Sequence, residues 1–543
     1  MKPEPKLNVL VEMRPAFDGY AGIPQETRLL FRGLCMIASV EVEGLLQTSL
    51  RFLASGMKEK RGPGTELAES LRLNRYARVI ISIDNKPSRK PLDQAMRYLK
   101  RRRVAYALTL STLLFPGLRK IRTSVFESRY FESFIWQTLF AKTLPAADFA
   151  LVTARNYRVC TVPWNILQTA GLNSLKFLSN PVYPELDTSG ADIFIAQTPY
   201  PARIDRNTAL VVRYHDALPV FMPNMFANKA RHQAIHFYAL LSNVQSGAYF
   251  ACVSEATRQD LLRLFPEAKD RTVTIHNMIS PHFYDADSSL ERVPQIVRSR
   301  LNLLAPEAHP KFAGLREQEL FYKTHLGGLP INPDDPLARH SGEGRNDKVL
   351  ANGLSGFNYL LMVSTIEPRK NHRRLIAAWE MIRAEADPSI KLVIVGSLGW
   401  DFEPIMSEMR TWIDQGMLFV LNNVPAADLR VLYRHAAATV CPSLAEGFDF
   451  SGVEAMCSGG IAIASDIPVH REVYDDAAEY FDPYSTMSLV GTLKKVLHDP
   501  DAPQVRDTLR VRGKEVSSRY APEKILPQWE LFLQRVSQER HNY

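Results

Sequence analysis

The sequence predicts an α/β fold made of two units, and three observations support it. In the N-terminal half, short apolar runs alternate with helical stretches, a pattern typical of a parallel sheet with helices on its faces. A second series of the same kind begins at residue 359. A polar stretch rich in proline and glycine separates the two series at 285–357. Two such units imply a cleft between them, and ligands commonly bind in clefts between domains.

The first unit opens with a strand predicted at 7–13, a loop that contains Gly22, and a helix at about 25–35. Strand, glycine loop and helix can bring backbone N–H groups close to a phosphate or a sugar, although ordinary turns before helices also use glycine. Apolar runs predict the further strands, which are 77–83, 149–152, 193–197, 210–214 and 249–253.

The second unit has strands predicted at 359–363, 391–396, 418–421, 438–440 and 461–464, with helices between them, for example at 373–384. The predicted boundaries are an N-terminal domain at 1–284 with an insertion at about 53–160, a polar linker at 285–357, a C-terminal domain at 358–515 and a final segment at 516–543. That last segment contains a helix at about 522–538, which is expected to cross back to the first domain.

Composition limits the class of protein. A chain of 543 residues is too long for one core, and its net charge of +8 is compatible with phosphorylated substrates or an anionic membrane surface without indicating nucleic acid. The five cysteines form no CxxC pair, which favours a reducing compartment and argues against structural zinc. With no signal-like segment and no apolar run of about 20 residues, a cytoplasmic location is predicted.

Two carboxylates, Glu446 and Glu454, lie eight positions apart with glycine-containing backbone between them. This spacing can place one in a loop and the other in the first turn of a helix, so that both face a sugar attached to a phosphate. A solvated acidic loop that caps a surface helix fits the same spacing. The pattern alone leaves both interpretations open.

A pair of cations, Arg369 and Lys370, follows the strand predicted at 359–363. Cations at the carboxyl end of a strand can neutralise a diphosphate and stabilise the charge on a departing nucleoside diphosphate. Cations before a helix oppose its dipole, which favours a bound anion over a plain surface turn. His215 and Asp216 follow the strand at 210–214 and suit hydrogen bonding or proton transfer to a sugar, but a structural histidine is equally compatible.

Two further patterns have competing interpretations. Asp285 and Asp287 form an Asp-x-Asp that can hold a metal bound to a nucleotide diphosphate, but no strand precedes it, so a linker turn is favoured. At 97–122, basic clusters flank the apolar run 104–118, which is too short to span a bilayer. This segment is either a peripheral contact with an anionic membrane or a buried element with basic ends.

Several motifs together resemble the retaining nucleotide-sugar glycosyltransferases of family 4, which have the GT-B fold of two Rossmann-like domains and a deep interdomain cleft. Residues 443–456 are similar to that family's E-x7-E signature, and 465–473 resemble the segment that follows it. Residues 366–371 resemble the phosphate-binding turn of the branch that includes bacterial O-antigen mannosyltransferases. The resemblance covers most of the chain except about 53–160 and 285–357.

The resemblance implies roles for matching residues. Glu446 would contact the donor sugar near the reacting carbon, Arg369 and Lys370 would bind the diphosphate, and His215 would hydrogen-bond the sugar, which makes these four the implied catalytic residues. Glu454 would hold the ribose. The full set of implied donor-binding residues is Gly22, Thr365, Phe448, Asp449, Phe450, Ser451 and Glu454. No metal or other cofactor is expected.

The chain departs from the family at two places. Asp449-Phe450-Ser451 replaces the usual Gly-Leu-Pro, which adds a charge where glycine normally lets the backbone approach the sugar. Thr365 stands where many members carry arginine, and Arg369 is expected to supply that charge.

The predicted function is a retaining hexosyltransferase that moves mannose from a nucleoside diphosphate sugar, GDP-mannose favoured, to a surface polysaccharide or lipid-linked glycan. Its predicted partners are this donor, the glycan acceptor and an anionic membrane at the inner face, with no nucleic acid. One alternative is a degenerate relative that binds glycans in polysaccharide assembly without turnover. Another is a GT-B phosphorylase or epimerase.

Overall fold

The computed structural model describes residues 6–20, 22–58, 66–84, 90–115, 117, 120–301, 310, 312, 315–326 and 357–541. Contacts divide the chain into two compact units. The first comprises Met1–Ser280 and Pro522–Tyr543, and the second comprises Pro281–Ala521. Within the described ranges, no helix is both long enough and apolar enough to cross a membrane.

The first unit is built on an eight-stranded sheet. The strands of the unit as a whole are β1 (Leu7–Glu12), β2 (Val40–Leu46), β3 (Lys120–Ile121), β4 (Thr123–Glu127), β5 (Asn156–Cys160), β6 (Glu185–Leu186), β7 (Ile193–Ala196), β8 (Ala209–Tyr214), β9 (Tyr249–Cys252) and β10 (Thr272–Thr274). The sheet order is β10-β9-β8-β7-β1-β2-β5-β4, and every pair is parallel except β4 with β5. β3 and β6 form a separate two-stranded sheet.

The helices of this unit include two that the sequence predicted as strands. The α-helices of this unit before residue 281 are α1 (Ile23–Met36), α2 (Glu66–Asp84), α3 (Pro91–Leu114), α4 (Glu132–Ile135), α5 (Phe149–Thr153), α6 (Trp164–Ser174), α7 (Leu218–Phe221), α8 (Lys229–Gln245) and α9 (Glu255–Leu264). The strands predicted at 77–83 and 149–152 are wrong, because these residues lie in α2 and α5. In α2, Tyr76, Val79 and Ile83 are buried at helical spacing, which a short apolar run does not distinguish from a strand.

The range predicted as an insertion, 53–160, contributes two strands to the main sheet. β5 pairs with β2, and β4 pairs with β5, so the last part of that range belongs to the sheet itself.

The second unit has a six-stranded sheet in which every strand is parallel to its neighbour. Its strands are β11 (Tyr359–Val363), β12 (Lys391–Val395), β13 (Leu418–Leu421), β14 (Ala438–Cys441), β15 (Ala462–Ser465) and β16 (Ala478–Phe481). The order is β13-β12-β11-β14-β15-β16, which is the Rossmann arrangement. The strand order reverses between β11 and β14, and ligands of such sheets bind outside the carboxyl ends of the strands at that reversal.

The helices of the second unit begin inside the stretch predicted as a linker. They are α10 (Arg292–Leu301), α11 (Leu315–Leu326), α12 (His372–Glu385), α13 (Glu403–Asp414), α14 (Ala426–His435), α15 (Phe450–Cys457), α16 (Pro468–Tyr474), α17 (Thr486–Leu497) and α18 (Ala502–Ser518). The range predicted as a linker therefore contains two helices, α10 and α11. In α10, Val293, Ile296 and Val297 are buried at helical spacing, a signal hidden by the polar residues around them. Most of the remaining predicted linker lies outside the described residues.

The last helix, α19 (Pro522–His541), belongs to the first unit although it follows the second in sequence. Its Trp529 is fully buried, and the guanidinium carbon of Arg213 lies 5.2 Å from the centre of the Trp529 ring. Arg213 is itself buried and forms an ion pair with Glu26, 2.9 Å long. Ser39 Oγ donates a hydrogen bond to Glu530 at 2.5 Å. α19 is thus fastened to this unit by both apolar and polar contacts.

Replacing Trp529 by alanine tests this attachment. We expect Trp529→Ala to lower the free energy of unfolding by about 3–5 kcal/mol, because it removes a fully buried ring and uncovers the buried Arg213. Leu531→Ala in the same helix is the control, since Leu531 is 67% exposed and its loss should change stability by less than about 0.5 kcal/mol. Urea unfolding and limited proteolysis of α19 measure both variants. Equal effects of the two substitutions would contradict the assignment of Trp529 as the anchor.

Candidate active site

Two loops meet at the strand reversal of the second unit. One follows β11 and contains residues 364–371; the other follows β14 and contains residues 442–449. The backbone N–H of Leu444 donates to the carbonyl of Arg369 at 2.9 Å, and the Asn371 side-chain amide donates to the carbonyl of Pro442 at 3.0 Å. Asn371 has a φ of +61°, a left-handed conformation that asparagine tolerates better than most residues. These two hydrogen bonds hold the loops against each other.

Glu446 occupies the junction of these loops and binds both predicted cations. Arg369 Nη1 donates to its Oε2 at 2.8 Å, and Lys370 Nζ donates to its Oε1 at 2.5 Å. Arg369 also forms an ion pair with Glu367 at 2.9 Å. Burial would raise the pKa of the Glu446 carboxyl, but the charges of Arg369 and Lys370 outweigh burial and hold that pKa below its ordinary value. Glu446 is therefore a buried, ionised carboxylate.

Asp449 starts the helix that carries Glu454. Its Oδ1 accepts hydrogen bonds from Ser451 N at 3.0 Å and Ser451 Oγ at 2.6 Å, which is the bonding of a helix N-cap. α15 consequently begins at Phe450, earlier than the sequence suggested. Glu454 lies in the second turn of α15, not in the first, and its Oε2 accepts a hydrogen bond from the Tyr433 hydroxyl at 3.1 Å.

A buried histidine lies against Asp449. His470 Nε2 lies 3.3 Å from Asp449 Oδ2, and His470 Nδ1 lies 2.9 Å from the carbonyl oxygen of Ser465. The imidazole ring therefore stands between the start of α15 and the end of β15. Burial would raise the pKa of Asp449, but the hydrogen bond from His470 and the charge of Lys370 lower it well below its ordinary value. The carboxylate of Asp449 thus also has partners outside its own loop, in α16 and in the loop after β11.

The remaining predicted donor-binding residues of this unit have mainly packing contacts. The Phe448 and Phe450 rings are 5.3 Å apart, and Phe448 also lies 5.4 Å from the Tyr520 ring. Thr365 lies in the loop after β11, where a Cβ on Gly399 would stand 2.8 Å from its methyl carbon. Their contacts with a donor stay predictions.

Two predicted site residues, Gly22 and His215, belong to the first unit. Gly22 is the N-cap residue just before α1 and has a φ of +68°, a conformation that residues with side chains rarely adopt. His215 follows β8, and among the described residues its buried Nε2 has no hydrogen-bond partner. Burial, together with the charge of Arg213, lowers the pKa of His215 to about 3. His215 is therefore a neutral imidazole at physiological pH.

The sequence of the second unit matches a described family. Residues 349–515 match the family of glycosyl transferases group 1. The C-terminal unit therefore contains a glycosyltransferase group 1 domain.

Individual proteins with similar sequences are also described as glycosyltransferases. The chain is 31% identical to O-antigen chain mannosyltransferase B of Escherichia coli over 27% of its own length and 38% of that protein. It is also 31% identical to O-antigen chain mannosyltransferase RfbU of Salmonella typhimurium, over 44% of its own length and 64% of that protein. The matched regions therefore span less than two thirds of these relatives.

A solved structure extends the likeness to the fold of the whole chain. The sucrose-phosphate synthase of Thermosynechococcus elongatus superposes on it with a TM-score of 0.53, covering 98% of this chain and 99% of that one at 13% identity. This likeness concerns the fold, and it confirms the predicted α/β class with two Rossmann-like units. The resemblance to glycosyltransferases, stated from the motifs, is confirmed by the domain and by the mannosyltransferase homologues.

Within the glycosyltransferase domain, the structure adds two residues that the motifs did not assign. His470 lies within the motif at 465–473, but its pairing with Asp449 spans 21 positions and has no local signal in the sequence. Tyr433, whose hydroxyl bonds to Glu454, comes from α14, which contains no motif.

Asp285 and Asp287 both pair with Arg434, and the described part of the chain has no cluster of three or more side chains suited to a metal.

A double-mutant cycle tests the Asp449–His470 pair. We expect Asp449→Asn and His470→Gln each to lower the free energy of unfolding by about 1–3 kcal/mol, because each leaves a buried partner uncompensated. The double variant should lose at least about 1 kcal/mol less than the sum. Asp466→Asn is the control, since its pair with Arg471 is exposed and should contribute at most about 1 kcal/mol. Strictly additive losses in urea unfolding would refute the pairing.

Proposed function

We propose that this protein is a retaining glycosyltransferase that moves a hexose, mannose in our proposal, from a nucleoside diphosphate sugar to a growing surface polysaccharide or lipid-linked glycan. The observation that carries the proposal is the ionised Glu446 held between Arg369 and Lys370 at the strand reversal of the second unit. The similarity to two O-antigen mannosyltransferases supports mannose, with GDP-mannose as the favoured donor.

In this proposal the diphosphate of the donor binds at the two cations. Arg369 is already fixed by Glu367, Glu446 and the carbonyl of Ala445, so its role is to hold the loop and contribute charge from a fixed place. Lys370 has a flexible stem and can move its ammonium group from Glu446 toward a phosphate oxygen. Lys370 is therefore assigned the larger share of phosphate binding.

The proposed chemical step uses the charges of Arg369, Lys370 and Glu446. When the bond between the anomeric carbon and the phosphate oxygen breaks, negative charge grows on the leaving diphosphate and positive charge on the sugar. Arg369 and Lys370 stabilise the negative charge on the diphosphate, and the Glu446 carboxylate stabilises the positive charge on the sugar. The acceptor hydroxyl attacks from the face that the phosphate leaves, and a phosphate oxygen takes its proton, so the configuration is retained. Glu454 is assigned to the ribose, and a contact of neutral His215 with the sugar stays a prediction from the resemblance.

A panel of nucleotide sugars tests the donor. We expect GDP-mannose to raise the melting temperature of the full chain and to be hydrolysed slowly without an acceptor, because binding to the folded state alone stabilises it. UDP-glucose, UDP-N-acetylglucosamine and GDP-glucose provide the comparison. Stabilisation by none of these compounds would overturn the enzyme proposal. Stabilisation without hydrolysis or transfer would favour the degenerate binding protein instead.

Two variants separate the roles of the acid and the cation. We expect Glu446→Gln to reduce turnover by about 100-fold or more while keeping affinity for the nucleoside diphosphate, because both cations remain. Lys370→Ala should weaken that affinity by about 10- to 100-fold through loss of a charge-assisted hydrogen bond. Lys494→Ala is the matched control, since Lys494 pairs with Glu385 at the surface of the same unit. Calorimetric titration with GDP and assays of donor hydrolysis measure these effects. Equal behaviour of the two variants would contradict the assignment.

A further inference from the structure

Helix α3 of the first unit is attached to the protein along one narrow side. Of its residues, Ala105 and Thr109 are buried, and Thr109 Oγ donates a hydrogen bond to the carbonyl of Ala170 in α6 at 3.0 Å. Residues 91–100, the first ten of the helix, are all exposed. The helix therefore presents most of its circumference to its surroundings.

The exposed side of α3 carries a continuous row of large apolar side chains. We call the α3 stripe the set of Leu92, Met96, Leu99, Tyr106, Leu110 and Leu114. Their exposures range from 38% to 75%. At 3.6 residues per turn, all six lie within about 80° of arc, away from the buried Ala105 and Thr109. Single exposed apolar residues are normal on protein surfaces, but an aligned set of this size marks an interaction surface.

One contact joins the stripe to the segment after α6. Lys176 Nζ lies 3.1 Å from the Tyr106 hydroxyl and 5.2 Å from the centre of its ring, so a cation stands directly beside the stripe. In the same segment, Phe177 and Leu178 are 67% and 42% exposed.

Positive charge borders this surface. The segment 90–115 contains six cations, Lys90, Arg97, Lys100, Arg101, Arg102 and Arg103, and a single acid, Asp93. Around the helix axis, Arg103 lies inside the arc of the stripe. Lys100 and Arg102 lie about 80° to either side of the centre of that arc. Among the described residues, no carboxylate forms a salt bridge with these three.

We propose that α3 docks this protein on an anionic lipid bilayer, with the α3 stripe in the boundary between headgroups and acyl chains. A helix with an apolar face and flanking cations binds in that plane, because anionic headgroups attract the cations while the apolar face leaves water. A nucleic acid would use the cations but would leave the stripe in water. The surface function goes beyond the proposed transfer reaction, since lipid binding needs neither donor nor acceptor.

Two variants of the full chain test this surface on vesicles. The stripe variant is Leu92→Ser with Met96→Ser and Leu99→Ser, and the charge variant is Lys100→Gln with Arg102→Gln and Arg103→Gln. All six side chains are exposed, so circular dichroism and the melting temperature should match the parent. We expect the parent to co-sediment with vesicles that contain phosphatidylglycerol and not with phosphatidylcholine alone. Each variant should lose about tenfold or more in partition.

Matched controls separate this surface from general stickiness and net charge. Val511→Ser with Leu531→Ser removes two exposed apolar residues elsewhere. Lys494→Gln with Lys495→Gln and Arg510→Gln removes the same charge as the charge variant at other sites. Both controls should bind as the parent does. The proposal is overturned if the parent fails to bind phosphatidylglycerol vesicles, if the α3 variants bind like the parent, or if the stripe variant abolishes only a concentration-dependent dimer.

Discussion

The candidate site depends on one buried interaction, the double ion pair of Glu446 with Arg369 and Lys370. A carboxylate removed from water is stable only when opposite charges and hydrogen bonds replace its hydration. Here both charges come from the loop after β11, while the carboxylate comes from the loop after β14. The interaction therefore ties together the two strand ends between which the sheet order reverses, and the geometry of the site follows from that tie.

The rest of the site is arranged outward from this junction. Asp449, three residues after Glu446, caps α15 and so sets where the helix begins. The start of α15 in turn places Glu454 in the second turn, next to the Tyr433 hydroxyl. His470 supports Asp449 from α16, and the Ser465 hydroxyl, at the end of β15, donates to the carbonyl of Ser443. Three successive strand ends, β11, β14 and β15, are thereby connected through polar side chains.

The two units differ in how their polar groups are used. In the second unit, buried charges are concentrated at the strand ends, where they have partners on neighbouring loops. In the first unit, the buried pair of Arg213 and Glu26 lies against Trp529 of α19 and serves to hold the returning helix. The exposed apolar and basic surface of α3 belongs to neither arrangement. The side of α3 opposite this surface packs on α6 through the buried Ala105 and Thr109.

The sequence by itself determined the α/β class, the strands of the second unit, and the placement of Arg369 and Lys370 just after the strand β11. These follow from local signals, because buried parallel strands are continuous apolar runs. That these two cations pair with Glu446 is known only from the folded chain. The sequence did not determine the helices at 77–83 and 149–152, whose short apolar runs fit either element, nor α10 and α11 within a polar stretch. Only the tertiary structure decided the role of Asp449. Its partner His470 is 21 positions away in sequence, so only the folded chain shows Asp449 as the N-cap of α15 with a buried histidine 3.3 Å from its carboxylate.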